Sequence, residues 1–342
     1  MNSGLFRVAI VGAGTLKGKE VADVLNERNF PGDVRLLDDE ESLGQLEAVG
    51  DEMTFVQKVN REQFEHVDFA FFASDESFTK ANWHMARNAG SAIIDLSYAL
   101  ENEAGATVRS PWLERELNRQ VAPELQPAPV VTAHPVAQVL ALLLLRAGRI
   151  GKIRTVAATV IEPASEHGRR GMDELHEQTV NLLSFRELPK KVFDQQVAFN
   201  IISEFGESSQ PSMETVEERI MRHFDNITGG AVTVPSLMLL HGPSFHGHTF
   251  SIYIELEKPP SSDDFEAVLA GDHVTLTNTA DDSPSNVNAA GQDGVLLSVH
   301  RDAQREEGIW LWAAADNLRI SAATAVSCAE TMRAARPKGK VQ

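Results

Sequence analysis

The chain has 342 residues, and its 49 acidic against 31 basic side chains give a formal net charge of −18. A chain of this length and apolar content predicts two domains with sizeable cores. The negative charge excludes nucleic acid and anionic membranes as expected partners. The single cysteine, Cys328, excludes an intrachain disulfide framework. With no leader-like start and no apolar run longer than residues 139–145, the sequence predicts a cytoplasmic protein.

The start of the chain predicts the opening of a dinucleotide-binding fold. Residues 6–11 predict a buried strand, and a glycine-rich turn then leads into a helix at about residues 19–26. Such a turn lets the backbone approach a pyrophosphate, which the helix N-terminus attracts. Because the third glycine, Gly18, comes one residue late, a tight turn in an unrelated α/β protein remains an alternative. The candidate cofactor-binding residues of the turn are Gly12, Gly14, Thr15 and Gly18.

An acidic segment follows the second predicted strand, residues 33–37, where the adenosine ribose of a dinucleotide would lie. A carboxylate can accept a hydrogen bond from the ribose 2′-OH of NAD, whereas the 2′-phosphate of NADP needs an arginine or a lysine. The segment therefore favours NAD over NADP, although a solvated acidic turn explains it equally well. Its members are Asp38, the candidate cofactor-binding residue, with Asp39, Glu40 and Glu41.

Two further strands are predicted at residues 67–72 and 91–96, on either side of a helix at about residues 78–89. Strands that alternate with helices at this spacing predict a parallel sheet.

A short strand at residues 130–131 leads to a turn near His134, and proline at the next position predicts a helix that starts close to Pro135. A helix N-terminus favours a thiolate or an oxyanion. The residues placed there are Val136, Ala137 and Gln138, so this position holds no nucleophile.

The second half of the chain is richer in strands and predicts a separate domain. Its predicted strands cover residues 152–162, 231–240, 243–256, 295–300 and 309–314. Its predicted helices cover residues 171–184, 214–224 and 321–335, and residues 281–294 predict a polar surface loop.

These landmarks, in this order, resemble the aspartate-semialdehyde dehydrogenase family over nearly the whole chain. The segments that carry the resemblance are VGAGTLKG, FFASDESFTK, IIDLSYAL, PVVTAHPVAQ, EPASEHGRRGMDEL, GPSFHGHT, NVNAAGQDG and IWLWAAADNLRISAA. The resemblance implies an α/β fold with an N-terminal Rossmann-like parallel sheet and an α+β dimerisation or substrate domain with a mixed sheet. The first domain would comprise residues 1–133 and a closing helix, 317–336, that returns to it. The second would comprise residues 134–316.

The family reduces an acyl phosphate to an aldehyde with NADPH, or runs the reverse phosphorylating oxidation, as part of amino-acid biosynthesis. A cysteine thiolate forms a thioacyl intermediate, a histidine acts as acid and base, and arginines hold the substrate carboxylate and the phosphate. The resemblance therefore implies a homodimer that binds NAD or NADP.

Most of these roles fall on residues that cannot perform them. The nucleophile position is Ala137, and the glutamine that orients the intermediate is replaced by Glu162. The arginine for the substrate carboxylate is replaced by His241, and the arginine for the phosphate by Glu101. Two anion-binding positions have thus lost their arginines. The acid/base histidine is retained as His248.

The cofactor positions are also altered. The arginine that would hold the 2′-phosphate is replaced by Glu41, and a glycine pair becomes Asp75-Glu76. Ser74, in the matching segment, and Asn317, near the cofactor end of the family's cleft, are the remaining candidate cofactor-binding residues. NAD is favoured over NADP if either binds, and binding of no nucleotide is an open alternative.

Two hypotheses follow for a family member without phosphorylating dehydrogenase activity. The first is a dimeric scaffold, regulator or nucleotide sensor. The second is an enzyme of changed chemistry, an oxidoreductase of the same class or an acid–base or metal enzyme. Its candidate residues are Glu162, Glu166, His241, His246 and His248.

Ordinary structural roles explain several of the same residues. His246 and His248 would share one face of a strand, where His246 is interpreted as an ordinary strand residue. Glu166 and His167 are interpreted as a solvated loop pair, and Cys328 as a small packed thiol. The sequence assigns no residue as a metal ligand.

Overall fold

A computed structural model describes residues 6–39, 44, 46–49, 52–120, 128–260, 265–277 and 283–335. Glu40 and Glu41 of the acidic segment lie outside the described residues. The chain separates into two units, residues 1–133 with 321–342, and residues 134–320. None of the helices within the described ranges is both long and apolar enough to cross a membrane.

The first unit is built on a seven-stranded sheet in the order β5-β2-β1-β6-β7-β9-β8, and every pair in it is parallel. The strands β3 and β4 form a separate antiparallel pair. The elements up to the end of this sheet are β1 (Phe6–Val11), α1 (Leu16–Glu27), β2 (Gly32–Asp38), β3 (Leu46–Val49), β4 (Glu52–Phe55), β5 (Gln57–Lys58), β6 (Phe69–Phe72), α2 (Glu76–Asn88), β7 (Ala92–Asp95), β8 (Thr107–Arg109), α3 (Pro111–Glu116) and β9 (Val130–Thr132).

The second unit is built on a six-stranded mixed sheet in the order β11-β10-β12-β15-β14-β13, in which β10–β11 and β13–β14 are parallel and the other pairs antiparallel. The remaining elements are α4 (Pro135–Ala147), β10 (Ile153–Glu162), α5 (Gly168–Leu183), α6 (Met213–Thr228), β11 (Ser236–His241), β12 (His248–Leu256), α7 (Phe265–Leu269), β13 (Val274–Leu276), α8 (Asn286–Ala289), β14 (Val295–Arg301), β15 (Gly308–Ala315) and α9 (Asn317–Ala335). The predicted fold class is confirmed.

The parallel sheet is buried on both faces, which explains why its strands read as continuous apolar runs. One cluster joins β1 and α1 to the closing helix, where Ala322 and Val326 are fully buried. The opposite cluster includes Phe72 and Trp83. The part of α9 from Ser321 onward therefore completes the core of the first unit.

The mixed sheet has one buried face and one open face. Along β12 the residues alternate between buried and half-buried, as a strand with a single buried face requires. Trp310, Trp312 and Met238 lie on the open face and are 43%, 36% and 58% exposed. Large apolar side chains on an open sheet face mark an interaction surface.

Two predicted strands are shorter than the sequence indicated. The strand predicted at residues 231–240 covers Ser236–His241, because Pro235 has no N–H to donate to a ladder. The strand predicted at residues 243–256 covers His248–Leu256, because Gly247 adopts a φ of +83°. His246 lies in a bend before this strand, so the prediction that it shares a strand face with His248 is wrong. The loop predicted at residues 281–294 contains α8; residues 281 and 282 lie outside the described residues.

Candidate functional site

The glycine-rich turn of the first unit is shaped by its own packing. Gly12 follows β1 with a φ of +85°, and a Cβ on it would lie 2.6 Å from the backbone nitrogen of Ser74. A Cβ on Gly18 would lie 2.1 Å from the carbonyl oxygen of Gly12. Both glycines are therefore required by the turn itself, whatever it binds.

Thr15 and Asp38 hold the turn in place. The Thr15 hydroxyl caps α1 by accepting from the Gly18 N–H at 3.0 Å, and it lies within hydrogen-bonding distance of the Gly12 and Ala73 carbonyl oxygens, at 2.8 and 2.9 Å. The Gly14 N–H donates to the Asp38 carboxylate at 2.8 Å. Burial raises the pKa of Asp38, and the N–H groups of Gly14 and Asp39 only partly oppose this. The predicted cofactor residues of the turn thus form one bonded unit with Asp38.

Gly12→Ala is expected to lower the free energy of unfolding by about 2–4 kcal/mol, because the methyl group meets backbone atoms and the positive φ disfavours a side chain. Urea unfolding monitored by circular dichroism measures the change. Gly90→Ala is the matched control, since Gly90 has a φ of +90° but no atom within 4 Å of its Cβ position. Equal losses in the two variants would show that the close approach to Ser74 contributes nothing.

Ser74 opens a chain of polar groups beyond the carboxyl ends of β6 and β7. Its hydroxyl lies 3.1 Å from that of Thr79, which lies 3.0 Å from the Ser97 hydroxyl. Ser97 in turn donates to the Asp95 carboxylate at 2.6 Å. Glu101 lies in the turn that follows and is half-buried. The carboxyl ends of parallel strands are where this class of fold places its ligands.

In the second unit, an imidazole caps the helix whose start the sequence marked as a nucleophile position. α4 begins at Pro135, and the Val136 N–H donates to Nδ1 of His134 at 3.2 Å. The His134 N–H donates to Nδ1 of His223 at 3.0 Å. Ala137 is fully buried and offers only a methyl group. The N-terminus of α4 therefore has an imidazole as its capping group and has no thiol.

Glu166 lies between two histidines. Its carboxylate is 4.0 Å from Nε2 of His134 and 3.6 Å from Nε2 of His248. The Asn317 amide donates to it at 2.9 Å, and Asn317 also lies within hydrogen-bonding distance of Ser165. His134, Glu166, His248 and Asn317 are called the Glu166 group below. All four side chains are buried or nearly so, the Glu166 side chain being 9% exposed.

A second cluster, the Glu162 group, consists of Glu162, His167 and His241. One oxygen of Glu162 lies 3.1 Å from Nε2 of His167 and 3.2 Å from Nδ1 of His241. Burial would raise the pKa of Glu162, but its hydrogen bonds and electrostatic interactions with the two imidazoles outweigh burial and hold this pKa well below its usual range. The group therefore contains an ionised carboxylate.

Aromatic side chains enclose the Glu162 group. The Phe193 ring centroid is 5.0 Å from that of His167 and 4.6 Å from that of His241, and Phe205 is 4.9 and 5.4 Å from the same rings. The segment that carries Phe193 is held by α5. Glu174 accepts from three backbone N–H groups of this segment, and Gln178 bonds four further backbone groups of it.

The structure divides candidate residues that the sequence analysis grouped together between two clusters. Glu162 pairs with His241, and Glu166 with His248 and Asn317. The interpretation of Glu166 and His167 as a solvated loop pair is wrong. They lie in a 3-10 helix, Ala164–His167, with side chains only 9% and 7% exposed, because each meets buried partners.

Sequence reasoning also missed His134 and His223 as site residues. The signal for His134 was its place directly before the proline that starts α4, where an N-cap side chain is expected. No local signal marks His223, which lies within α6 and reaches His134 across 89 positions of sequence.

Cys328 lies in α9, in the first unit, and is fully buried. Burial raises the pKa of its thiol to about 12. At pH 8 only about one thiol in ten thousand would be ionised. We expect a disulfide reagent to label no cysteine in the folded protein and one after unfolding in guanidinium. Rapid labelling of the native protein would contradict this account of Cys328.

Comparisons with known proteins agree with the two units. Residues 7–125 match the family described as "Semialdehyde dehydrogenase, NAD binding domain", and residues 143–320 match "Semialdehyde dehydrogenase, dimerisation domain". A USG-1 protein homolog of Pseudomonas aeruginosa is 31% identical over 92% of this chain and 94% of its own. An aspartate-semialdehyde dehydrogenase of Rickettsia conorii is 29% identical over 93% of this chain and 94% of its own.

A solved structure shows the same fold in a named enzyme. Aspartate semialdehyde dehydrogenase II from Vibrio cholerae, complexed with ASA, superposes with a TM-score of 0.83 at 26% identity, over 97% of this chain and 99% of its own. Together, the two domain matches and these relatives show that the chain belongs to the aspartate-semialdehyde dehydrogenase family.

Proposed function

We propose that this protein does not catalyse the family's phosphorylating dehydrogenation and acts instead as a homodimeric, nucleotide-binding scaffold, regulator or sensor. One observation carries the proposal: the helix start that would present the nucleophile offers the methyl group of Ala137. The only thiol of the chain, Cys328, is buried in the first unit with a raised pKa. Without a thiolate the thioacyl intermediate has no atom to form on.

The anion-binding positions support the proposal. Where the family would hold a substrate carboxylate with arginine, His241 is paired to the Glu162 carboxylate. Where it would hold a phosphate, the chain has Glu101. A carboxylate repels an anionic substrate, whereas the arginine fork binds one through two parallel hydrogen bonds.

Intact-protein mass spectrometry tests this proposal. The protein is incubated with aspartate semialdehyde and either NAD or NADP, without phosphate, so that a covalent acyl-enzyme would persist. We expect this protein to keep its unmodified mass. An aspartate-semialdehyde dehydrogenase such as the Vibrio cholerae enzyme, run in parallel, is the positive control and should gain the mass of the acyl group. A stoichiometric acyl adduct on this chain would contradict the proposal.

The nucleotide function is assigned to residues 1–133 with the closing helix 317–336, and the dimerisation and catalytic-like function to residues 134–316. The proposed nucleotide contacts are Gly12, Gly14, Thr15, Gly18, Asp38, Ser74 and Asn317. NAD is favoured over NADP, because the Asp38 carboxylate bonded to Gly14 would accept a ribose hydroxyl and repel a 2′-phosphate. Isothermal titration with each nucleotide decides this, since tighter binding of NADP would contradict the preference.

The homodimer would form through the open face of the mixed sheet. Trp310, Trp312 and Met238 together leave large apolar areas on this face of the isolated chain. Covering them with the same face of a second copy gives an isologous interface. Light scattering is expected to give twice the mass of the chain, and a monomer at micromolar concentration would contradict this assignment.

A second candidate function is acid–base chemistry at the Glu166 group. Its specific support is a carboxylate between two imidazoles and beside a helix N-terminus, an arrangement that can both donate and accept protons. In this reading His248 and Glu166 are the catalytic residues. Hydrolysis of an uncharged ester, p-nitrophenyl acetate, tests it: release of p-nitrophenol above the spontaneous rate that is lost in Glu166→Gln supports the reading, and release at the spontaneous rate contradicts it.

A further inference from the structure

The Glu162 group is assembled by secondary structure. Glu162 ends β10 and His241 ends β11, and these parallel strands pair in register at these two residues. His167 closes the 3-10 helix that follows β10. The ends of these three elements thus place one carboxylate and two imidazoles next to one another. The side chains of Glu162, His241 and His167 are 1%, 0% and 7% exposed.

The spacing of the group matches a metal coordination sphere. One ligand atom from each residue lies within 4.8 Å of the other two, and the carboxylate oxygen is 3.1 and 3.2 Å from the imidazole nitrogens. Zinc binds imidazole nitrogen and carboxylate oxygen at about 2.0–2.2 Å in a tetrahedron, whose neighbouring ligands are then about 3.3–3.6 Å apart. Both oxygen–nitrogen distances therefore lie within a few tenths of an ångström of those in a zinc site.

The chemistry of the group also suits a cation. One carboxylate oxygen and two imidazole nitrogens form a donor set that zinc takes in proteins, and all three side chains are buried or nearly so.

We propose that Glu162, His167 and His241 bind a zinc-type transition-metal ion. Two imidazoles and a carboxylate favour zinc over magnesium or calcium, which prefer sites made of oxygen alone. Three protein ligands leave a fourth position for water or another ligand, as in catalytic rather than structural zinc sites. This metal site does not depend on whether the protein binds a nucleotide or lacks dehydrogenase activity.

Metal titration of the full chain tests the site. The purified protein is stripped with a chelator, dialysed and titrated with Zn²⁺ by calorimetry; one ion is expected to bind per chain, with raised thermal stability. Co²⁺, used as a spectroscopic probe, is expected to give the strong visible absorption of tetrahedral cobalt. Glu162→Gln and His167→Asn are each expected to lower Zn²⁺ affinity by at least about 100-fold, because each removes a ligand.

The control is His300→Asn, since His300 is an exposed histidine of the same unit whose imidazole lies within hydrogen-bonding distance of the Ser298 hydroxyl. Its Zn²⁺ affinity is expected to equal that of the unmodified chain. Two variants at different places in the group guard against one of them failing to fold. Absence of Zn²⁺ binding by the unmodified chain, or binding that survives both ligand substitutions, would overturn the site.

Discussion

Glu174→Ala is expected to lower the free energy of unfolding of the second unit by about 3–5 kcal/mol, because it leaves backbone donors without their acceptor. The Glu174 carboxylate accepts from the N–H groups of Lys191 and Val192 at 2.6 and 2.7 Å and from that of Phe193 at 3.1 Å. Hydrogen bonds to a charged group each contribute about 1.5–3 kcal/mol. Denaturant unfolding monitored by circular dichroism measures the loss.

The matched control is Glu177→Ala, since Glu177 lies three positions later on the same helix and is exposed to solvent. It is expected to change stability by less than about 0.5 kcal/mol. Because Phe193 lies against both histidines of the Glu162 group, the Glu174 variant should also disturb that group. A stability loss no larger than that of the Glu177 variant would show that the 189–198 segment is held by other contacts.

Glu114→Ala is expected to lower the free energy of unfolding of the first unit by about 3–5 kcal/mol, because it leaves a buried charge without its partner. Arg109 is 8% exposed and makes two parallel bonds to Glu114, at 2.7 and 2.6 Å. It also donates to the Thr331 hydroxyl of α9 at 3.0 Å. Removal of the carboxylate therefore leaves a buried guanidinium without its anionic partner.

The double variant Arg109→Met with Glu114→Ala separates the two possible causes. Since it removes both charges, it is expected to recover most of the stability that the single variant loses. Unfolding in urea provides the comparison among the three proteins. A double variant as unstable as Glu114→Ala would show that packing around Glu114, rather than its charge, supplies the stability.

The elements that could be predicted from the sequence are those with strong local signals. The apolar run of β1 predicts the strand Phe6–Val11, and the proline that opens α4 predicts the helix start at Pro135; both elements lie at the residues predicted. The pair β3 and β4 and the short strand β8 were missed. β8, Thr107–Arg109, is a three-residue strand at the edge of the sheet, and it is too short to show the alternation of apolar and polar residues that marks a strand.

The site residues were partly predictable, but their pairing was not. The order of family landmarks identified Glu162, His241 and His248 as altered or retained positions. The contact between Glu162 and His241 joins residues 79 positions apart, through the register of β10 and β11. Only the fold reveals it. Likewise, the polar and glycine-rich sequence around Glu166 and His167 predicts a solvated loop, whereas tertiary contacts bury both side chains.

The central claim, loss of the phosphorylating dehydrogenase reaction, is tested most directly in a single-turnover experiment. The protein is held in excess over aspartate semialdehyde, with phosphate and either NAD or NADP, and reduced nucleotide is followed by absorbance. Loss of a covalent nucleophile lowers rates by on the order of a millionfold. We therefore predict no reduced nucleotide above the protein-free control. Reduced nucleotide formed in proportion to the aldehyde would contradict the account.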